Sequence, residues 1–305
     1  MAERRRGAPR RRGAPLWVAG AGILAALTGL ALGLRLFGGT PDSPDSPGAP
    51  GRTDARGALS VATWNVCGVR QWNCEDTGPA EEKRARIEAL ARESGARVVL
   101  LQEVCSADLS TVRASLGGTW QSLFRPYTSV REGRSSTTRC TGDGRGTAGY
   151  GMLSALPLTR VADLPLPQPV TGPRRGILCA TAGAENVRLC TTHLNPQQGG
   201  AASVPAELRE GQLRALVGAA AGPRTVFGGD LNTGPPDGTG TDAWARTEGP
   251  YGAYRECDRS GVPQETHRSG YKIDYLFTDL PRQGCSVLRS PASDHWALLM
   301  RVATG

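Results

Sequence analysis

Six short polar clusters in this chain each follow an apolar, strand-like run. They are Thr63-Trp64-Asn65-Val66, Leu101-Gln102-Glu103-Val104, Thr192-His193-Leu194-Asn195, Gly229-Asp230-Leu231-Asn232, Ile273-Asp274-Tyr275 and Ser293-Asp294-His295. Together they supply a metal-binding carboxylate, two histidines, further acid and amide groups, and an aspartate able to orient a base. Burying a carboxylate or imidazole at the end of so many strands costs free energy unless each is paired, so a packed core has no use for them. They are the parts needed to hydrolyse a phosphate ester with a divalent cation.

Glu103 ends the run Val98–Gln102 and is the expected metal ligand. A hard cation such as Mg²⁺ takes carboxylate oxygen and keeps several waters, so one or two protein carboxylates suffice. The plainer role, capping the next helix, is open to Ser106 or Asp108. Asp230 and Asn232 follow the run Thr225–Phe227; on an extended segment an i, i+2 pair points to one side. A carboxylate that holds water and an amide that donates to a developing oxyanion then converge, although an Asp/Asn turn fits the same residues.

Adjacent strand residues point to opposite sides, so Asp294 is expected to serve the metal or the transition state rather than orient His295. The expected partner of His295 is Asp274, which fixes the imidazole tautomer and raises its basicity. His193 ends a separate strand and is placed to donate to a non-bridging phosphate oxygen. A lone histidine is ordinarily structural, but two of the three here fall in such clusters. The third, His267 in the loop Thr266–Tyr271, reads as structural or surface. Asn65 reads as positioning Asp230 or the waters of the metal. Gly142-Asp143-Gly144-Arg145-Gly146 lacks the Gly-Lys-Ser/Thr of a nucleotide loop and reads as a flexible loop with Arg145 as a phosphate contact.

The elements that carry these clusters alternate from Ala58 onward. Strands are expected at Leu59–Val66, Arg97–Leu101, Trp120–Phe124, Gly149–Ser154, Gly176–Thr181, Val187–Thr192, Thr225–Gly228, Ile273–Thr278, Ser286–Leu288 and Trp296–Val302. Amphipathic helices are expected at Glu81–Glu93 and Ala206–Ala220. Helices and strands mix without strict alternation, which favours an α/β fold of two mixed β-sheets packed face to face with helices outside, as one domain over residues 58–305.

The net charge of +8 is unevenly spread: the first 57 residues hold nine arginines against four acids. Six of those arginines precede an uncharged apolar run, Leu16–Leu34, roughly 28 Å long as a helix and close to the ~30 Å hydrocarbon thickness of a bilayer. Arginine on the leading side predicts a cytoplasmic tail over residues 1–15 and an exported carboxy-terminal domain. Residues 16–37 are either an uncleaved signal anchor, leaving an extracellular domain on the cell membrane, or a signal peptide, leaving a secreted protein. Residues 38–57, with repeated Asp-Ser-Pro, read as a disordered linker.

All eight cysteines lie in the exported part with no Cys-x-x-Cys pair, so disulfides are expected. A hairpin centred on Ala184-Glu185 sets Cys179 opposite Cys190 within bonding reach. The others are paired in sequence order as Cys67–Cys74, Cys105–Cys140 and Cys257–Cys285.

In order and spacing the six clusters resemble the endonuclease/exonuclease/phosphatase superfamily, which includes pancreatic-type deoxyribonucleases, abasic-site endonucleases, inositol polyphosphate 5-phosphatases and bacterial sphingomyelinases. The resemblance covers residues 58–303. It implies a four-layered α/β sandwich and attack of water on phosphorus dependent on Mg²⁺ or Mn²⁺, with Ca²⁺ an alternative. Carried over by motif, Asn65, Glu103 and Asp294 stand at metal-site positions, while His193, Asp230, Asn232, Asp274 and His295 are the catalytic set. Arg145 and Asn195 are the expected substrate contacts. Thr192-His193-Leu194 departs from the Pro-Asn-Gly segment of abasic-site enzymes, and Ile273-Asp274-Tyr275 from the Asp-Arg of 5-phosphatases. The expected function is an exported phosphodiesterase, a nuclease first and a phospholipid (sphingomyelinase-like) or other phosphoester hydrolase second. A catalytically silent, membrane-tethered binding module is the reading from another class, and retention of Glu103 and His295 speaks against it. Nucleic acid or another phosphodiester is the expected partner, the membrane a second through the amino-terminal helix, and the domain is expected to be a monomer.

Overall fold

The structure is a computed structural model that describes residues 57–74, 76–196, 203–236, 249–257 and 264–305. The tail, apolar segment and linker expected at the amino terminus lie outside the described residues, apart from Gly57. No helix among the described residues is long and apolar enough to cross a membrane.

The alternation of apolar residues builds two six-stranded sheets. The first runs β14 (Arg282–Leu288), β15 (Ala297–Ala303), β1 (Ala58–Asn65), β2 (Val98–Cys105), β6 (Ala148–Ser154) and β3 (Gln121–Pro126). The second runs β12 (Arg255–Glu256), β13 (Asp274–Thr278), β11 (Thr225–Asp230), β10 (Val187–His193), β9 (Gly176–Ala182) and β7 (Leu158–Pro165). Inward residues of both, such as Val61, Leu100, Met152, Leu189, Val226 and Leu298, form the central core. The outward face of the first sheet packs Trp64, Val99 and Leu101 against α1 (Ala80–Arg92) and α2 (Ser106–Leu116). That of the second packs Cys190 and Phe227 against α3 (Ala206–Ala220). The result is the four-layered α/β sandwich, and β2, buried at every position, shows why its sequence is a nearly continuous apolar run.

Each sheet holds one central parallel pair, β1 with β2 and β10 with β11. Both pairs end at the same edge, where Asn65 lies opposite Gln102 and His193 opposite Asp230. β13 runs antiparallel to β11 and starts at Asp274, opposite Asp230. β15 runs antiparallel to β1, which brings the preceding Asp294 and His295 to that edge as well. Six strands thus deliver polar residues to one place. Gln102 Nε2, donating to Thr191 Oγ1 at 3.0 Å, ties the two sheets beneath it. Gly229, at φ +132°, is obligatory here, because a Cβ would stand 2.1 Å from Thr192 O.

A third small sheet, β5 (Arg134–Thr137), β4 (Thr128–Arg131) and β8 (Gly172–Arg174), was not foreseen, nor was β7. Three short strands and one half-exposed strand carry too little apolar alternation to read as strands. α4 (Pro250–Ala253) is a single turn. The disulfides join Cys67 to Cys74, Cys105 to Cys140, Cys179 to Cys190 and Cys257 to Cys285. Cys179 and Cys190 face each other in the β9–β10 register.

Candidate active site

The shared strand edge opens into a cleft of 1120 Å³. On its floor Asn65 Nδ2 donates to Asp230 Oδ2 at 2.9 Å and to Glu103 Oε1 at 3.2 Å, joining one carboxylate from each sheet. Asn65 was expected among the metal ligands, but its oxygen accepts the Cys67 N–H at 2.9 Å. In this arrangement its nitrogen bridges the two acids, the positioning of Asp230 that the sequence also suggested.

Glu103 takes a left-handed φ of +50° where the β2–β6 pairing slips between Leu101 and Val104. A non-glycine residue held there in a bulge is strained, and the bulge turns its carboxylate into the cleft. Burial pushes Glu103 up to about 7, against the lowering effect of Arg175 and Asn65. Asp230 is the opposite case: His193 and His295 outweigh its burial and hold it well below the usual carboxylate range. Two buried carboxylates sharing one amide are short of positive charge, and hard oxygen donors facing a polar cleft fit a divalent cation.

Asp274 Oδ2 lies 2.9 Å from His295 Nδ1, fixing the ring with Nε2 toward the cleft, 3.8 Å from Asp230 Oδ2. Burial opposes charge on His295, but Asp274, Asp230 and Asp294 prevail and raise it to about 10. Burial raises Asp274 in turn. Trp64 Nε1 donates to the His295 carbonyl at 3.0 Å and anchors this residue to the first sheet.

His193 presents Nε2 to Asp230 Oδ2 at 3.2 Å and to the Asn232 amide at 3.0 Å, with Tyr127 Oη 3.0 Å from Nδ1. Burial and Arg175 lower it to about 4, so the imidazole is neutral at ordinary pH. Asn232 does not continue an extended strand: β11 stops at Asp230 and Asn232 sits at φ +50°. The pair still converges, through the Asn232 N–H on Asp230 Oδ1 and the shared contact with His193.

Two expected substrate contacts lie elsewhere. Arg145 is bound to Asp108 at 2.6 Å and to the Thr141 carbonyl, holding its loop on α2. Asn195 is fully buried, where its backbone and side chain bond Gln212. In their place the cleft is lined by Trp72, Tyr127's partner Arg175, and His267. Arg175 lies 5.4 Å over Trp72, donates to the Leu194 carbonyl, and has no hydrogen-bond partner at Nε. Its only sequence signal is the Arg174-Arg175 doublet before an apolar run. His267, read as structural or surface, has Nε2 3.3 Å from Asp294 Oδ2. Its neighbour Thr266 pins the start of β13, taking the Ile273 and Asp274 N–H groups at 3.0 Å each.

An Asp–His pair, a second buried histidine and a linked pair of acids gather at one edge of a two-sheet sandwich, the groups a phosphoesterase-type centre needs. A sequence model of the Endonuclease/Exonuclease/phosphatase family matches residues 62–295, and the chain belongs to that family. It is an enzyme of that type, a metal-dependent phosphoric ester hydrolase. No curated protein matches the chain. Its fold is similar to the human Nocturnin catalytic domain with bound sulfate, at 17% identity over 82% of this chain and 94% of that one, TM-score 0.57. It is similar to D. rerio TDP2 complexed with single strand DNA product, at 16% identity over 80% and 98%, TM-score 0.56. ANGEL2, a 2',3'-cyclic phosphatase, matches at 15% identity over 80% and 94%, TM-score 0.52.

Proposed function

We propose that this chain is an exported phosphodiesterase that hydrolyses nucleic acid, with Mg²⁺ or Mn²⁺ as its cation. The observation that carries the reading is the convergence of Asp274–His295, His193 and the Asn65-linked acids on one cleft. Glu103 and Asp230 would hold the cation, which when bound supplies positive charge at a phosphate oxygen. His295 Nε2 takes the proton of the attacking water while Asp274 keeps Nδ1 oriented. His193, Asn232 and the free Nε of Arg175 face the non-bridging oxygens as charge develops there.

Three features support nucleic acid over lipid. The cleft is open and roomy, and arginines 131, 175 and 268 line it. Large exposed apolar residues among the described ones are confined to Val161, Val170 and Tyr271, too scattered for a lipid-inserting surface. TDP2 of similar fold is complexed with a DNA product. Export is supported by four disulfides and no free cysteine among the described residues. The test is a substrate panel of plasmid DNA, single-stranded DNA, RNA, sphingomyelin and inositol phosphates with each of Mg²⁺, Mn²⁺ and Ca²⁺. Nucleic acid should be cut fastest; preferential turnover of sphingomyelin would replace this reading with the lipid one.

A further inference from the structure

Around the Asp274–His295 pair, and bordering Asp230, which stands 3.8 Å from His295 Nε2, three side chains make a second, chemically different donor set. Ligand atoms of His267, Asp294 and His295 lie within 4.8 Å of one another. The loop that carries His267 is fastened there by backbone: Arg268 N–H donates to Asp294 O at 2.8 Å, and Trp296 N–H to Thr266 O at 2.7 Å. The two imidazoles meet edge to face with centroids 4.7 Å apart.

Each ring already has one nitrogen committed. His295 Nδ1 is held by Asp274, leaving Nε2. His267 Nδ1 lies 2.6 Å from Ser269 Oγ and takes the Ser269 N–H at 3.2 Å, leaving Nε2. In metal-binding histidines the second nitrogen donates to an outer partner, as His295 Nδ1 does to Asp274; His267 Nδ1, an acceptor in the cation-free ring, becomes such a donor only when it takes the ring proton. In the cation-free ring the Nε2 proton points at Asp294. On metal binding that proton exchanges through solvent to Nδ1, where Ser269 Oγ accepts it. Tetrahedral zinc with bonds of about 2.0–2.1 Å needs neighbouring ligand atoms roughly 3.3–3.4 Å apart. His267 Nε2 and Asp294 Oδ2 stand at 3.3 Å. Two imidazoles and a carboxylate select Zn²⁺ over Mg²⁺, which demands oxygen and near-octahedral geometry.

We propose that His267, Asp294 and His295 form a zinc-binding site whose occupancy switches the enzyme off, because zinc displaces the His295 Nε2 proton to solvent and takes the lone pair that must accept the proton of water. The inhibitory half rests on the reading of His295 as the base; the binding half does not.

Co²⁺ serves as the spectroscopic stand-in, added to the full chain in excess Mg²⁺. The wild type should show the absorption of tetrahedral cobalt at one equivalent, displaced by Zn²⁺. His267→Ala and the more conservative His267→Gln should both lose it and weaken Zn²⁺ by more than tenfold. Ser269→Ala, which removes only the outer partner, should weaken it about 10–100-fold. Thermal melts would show that each variant folds, and Zn²⁺ should raise the melting temperature of the wild type but not of the His267 variants. In turnover with Mg²⁺, the zinc concentration for half inhibition should rise at least tenfold in His267→Gln. Cobalt and zinc binding unchanged in both His267 variants would overturn the site. Zinc bound through His267 that leaves hydrolysis unaffected would overturn the switch. If the wild type hydrolyses no phosphoester, the phosphodiesterase reading fails, and the cobalt spectrum still decides whether the site exists.

Discussion

The amide of Asn65, ending a strand of one sheet, donates to the carboxylate of Asp230, ending a strand of the other, at 2.9 Å. This bond spans the seam between the sheets, and the same nitrogen reaches Glu103. Asn65→Ala should therefore loosen both acids at once. Leaving buried groups unsatisfied costs about 1–3 kcal/mol, so denaturant unfolding of cation-free protein should show a loss of that size. Saturating Mg²⁺ should recover part of the stability. An unchanged unfolding midpoint would mean that the bridge contributes nothing.

Glu103 should make cation binding sensitive to pH. Its carboxyl, raised to about 7 by burial, is protonated and neutral below that pH. The cation needs the ionised form, so binding in acid must displace a proton. Apparent Mg²⁺ affinity should climb as pH rises toward 7 and level off above it. Glu103→Gln should flatten that dependence and lower turnover by orders of magnitude, and chelation should silence the wild type. Calorimetric titration across the pH range measures the first and a turnover assay the others.

The Cys67–Cys74 bridge lies against the site as well as in the fold. Its sulfurs stand 2.9 Å from Asp294 Oδ1 and 3.4 Å from Glu103 Oε2, and both cysteines are buried. Removing a native disulfide typically costs about 2–5 kcal/mol. A Cys67→Ser/Cys74→Ser variant should melt at lower temperature, and its cation affinity should change with the displaced carboxylates. An equal loss of stability with identical cation affinity would confine the bridge to a structural role.

Much of this was legible because the site sits where strands stop. Asn65, Glu103, His193, Asp230, Asp274 and His295 each close an apolar run or open one, and a carboxylate or imidazole there has few reasons to exist other than chemistry. The two long helices were legible from their 3.6-residue periodicity. What stayed hidden follows from loops and registers. His267 reaches the site through a single antiparallel bridge to His295, a contact with no local pattern. Asn195 belongs to a cluster by sequence, yet its side chain turns into the scaffold beneath α3. Arg145 looked mobile among glycines until Asp108 on α2 claimed its guanidinium. The two lysines of this arginine-rich chain carried no signal either, though both prove buried. Lys83 Nζ sits among the oxygens of Val66, Thr77 and Ala292, and Lys272 pairs with Glu256. A compact ammonium fits such oxygen cages where a planar guanidinium does not.

Asp274 and His295 should behave as one unit. A positioned general base contributes about 10²–10⁴-fold, so His295→Ala should lower kcat on that order. Asp274→Asn should be damaging alone, yet add little on top of His295→Ala, because members of one unit are non-additive. The acidity of the ring gives a second readout. Three carboxylates hold the cation-free imidazole up at about 10, so NMR titration should place it above the unperturbed ~6.5. A protonated ring cannot take a proton from water, so kcat/KM should rise with pH, on a limb displaced above 6.5 to the extent that the bound cation leaves the carboxylates unscreened. Asp274→Asn removes the nearest negative charge, and the same limb should move to lower pH even as the maximum rate falls. That opposite movement of rate and midpoint separates orientation and charging of the base from mere structural support, which would lower the rate and leave the midpoint in place. A double variant whose loss equals the product of the two single losses would show that Asp274 and His295 act independently.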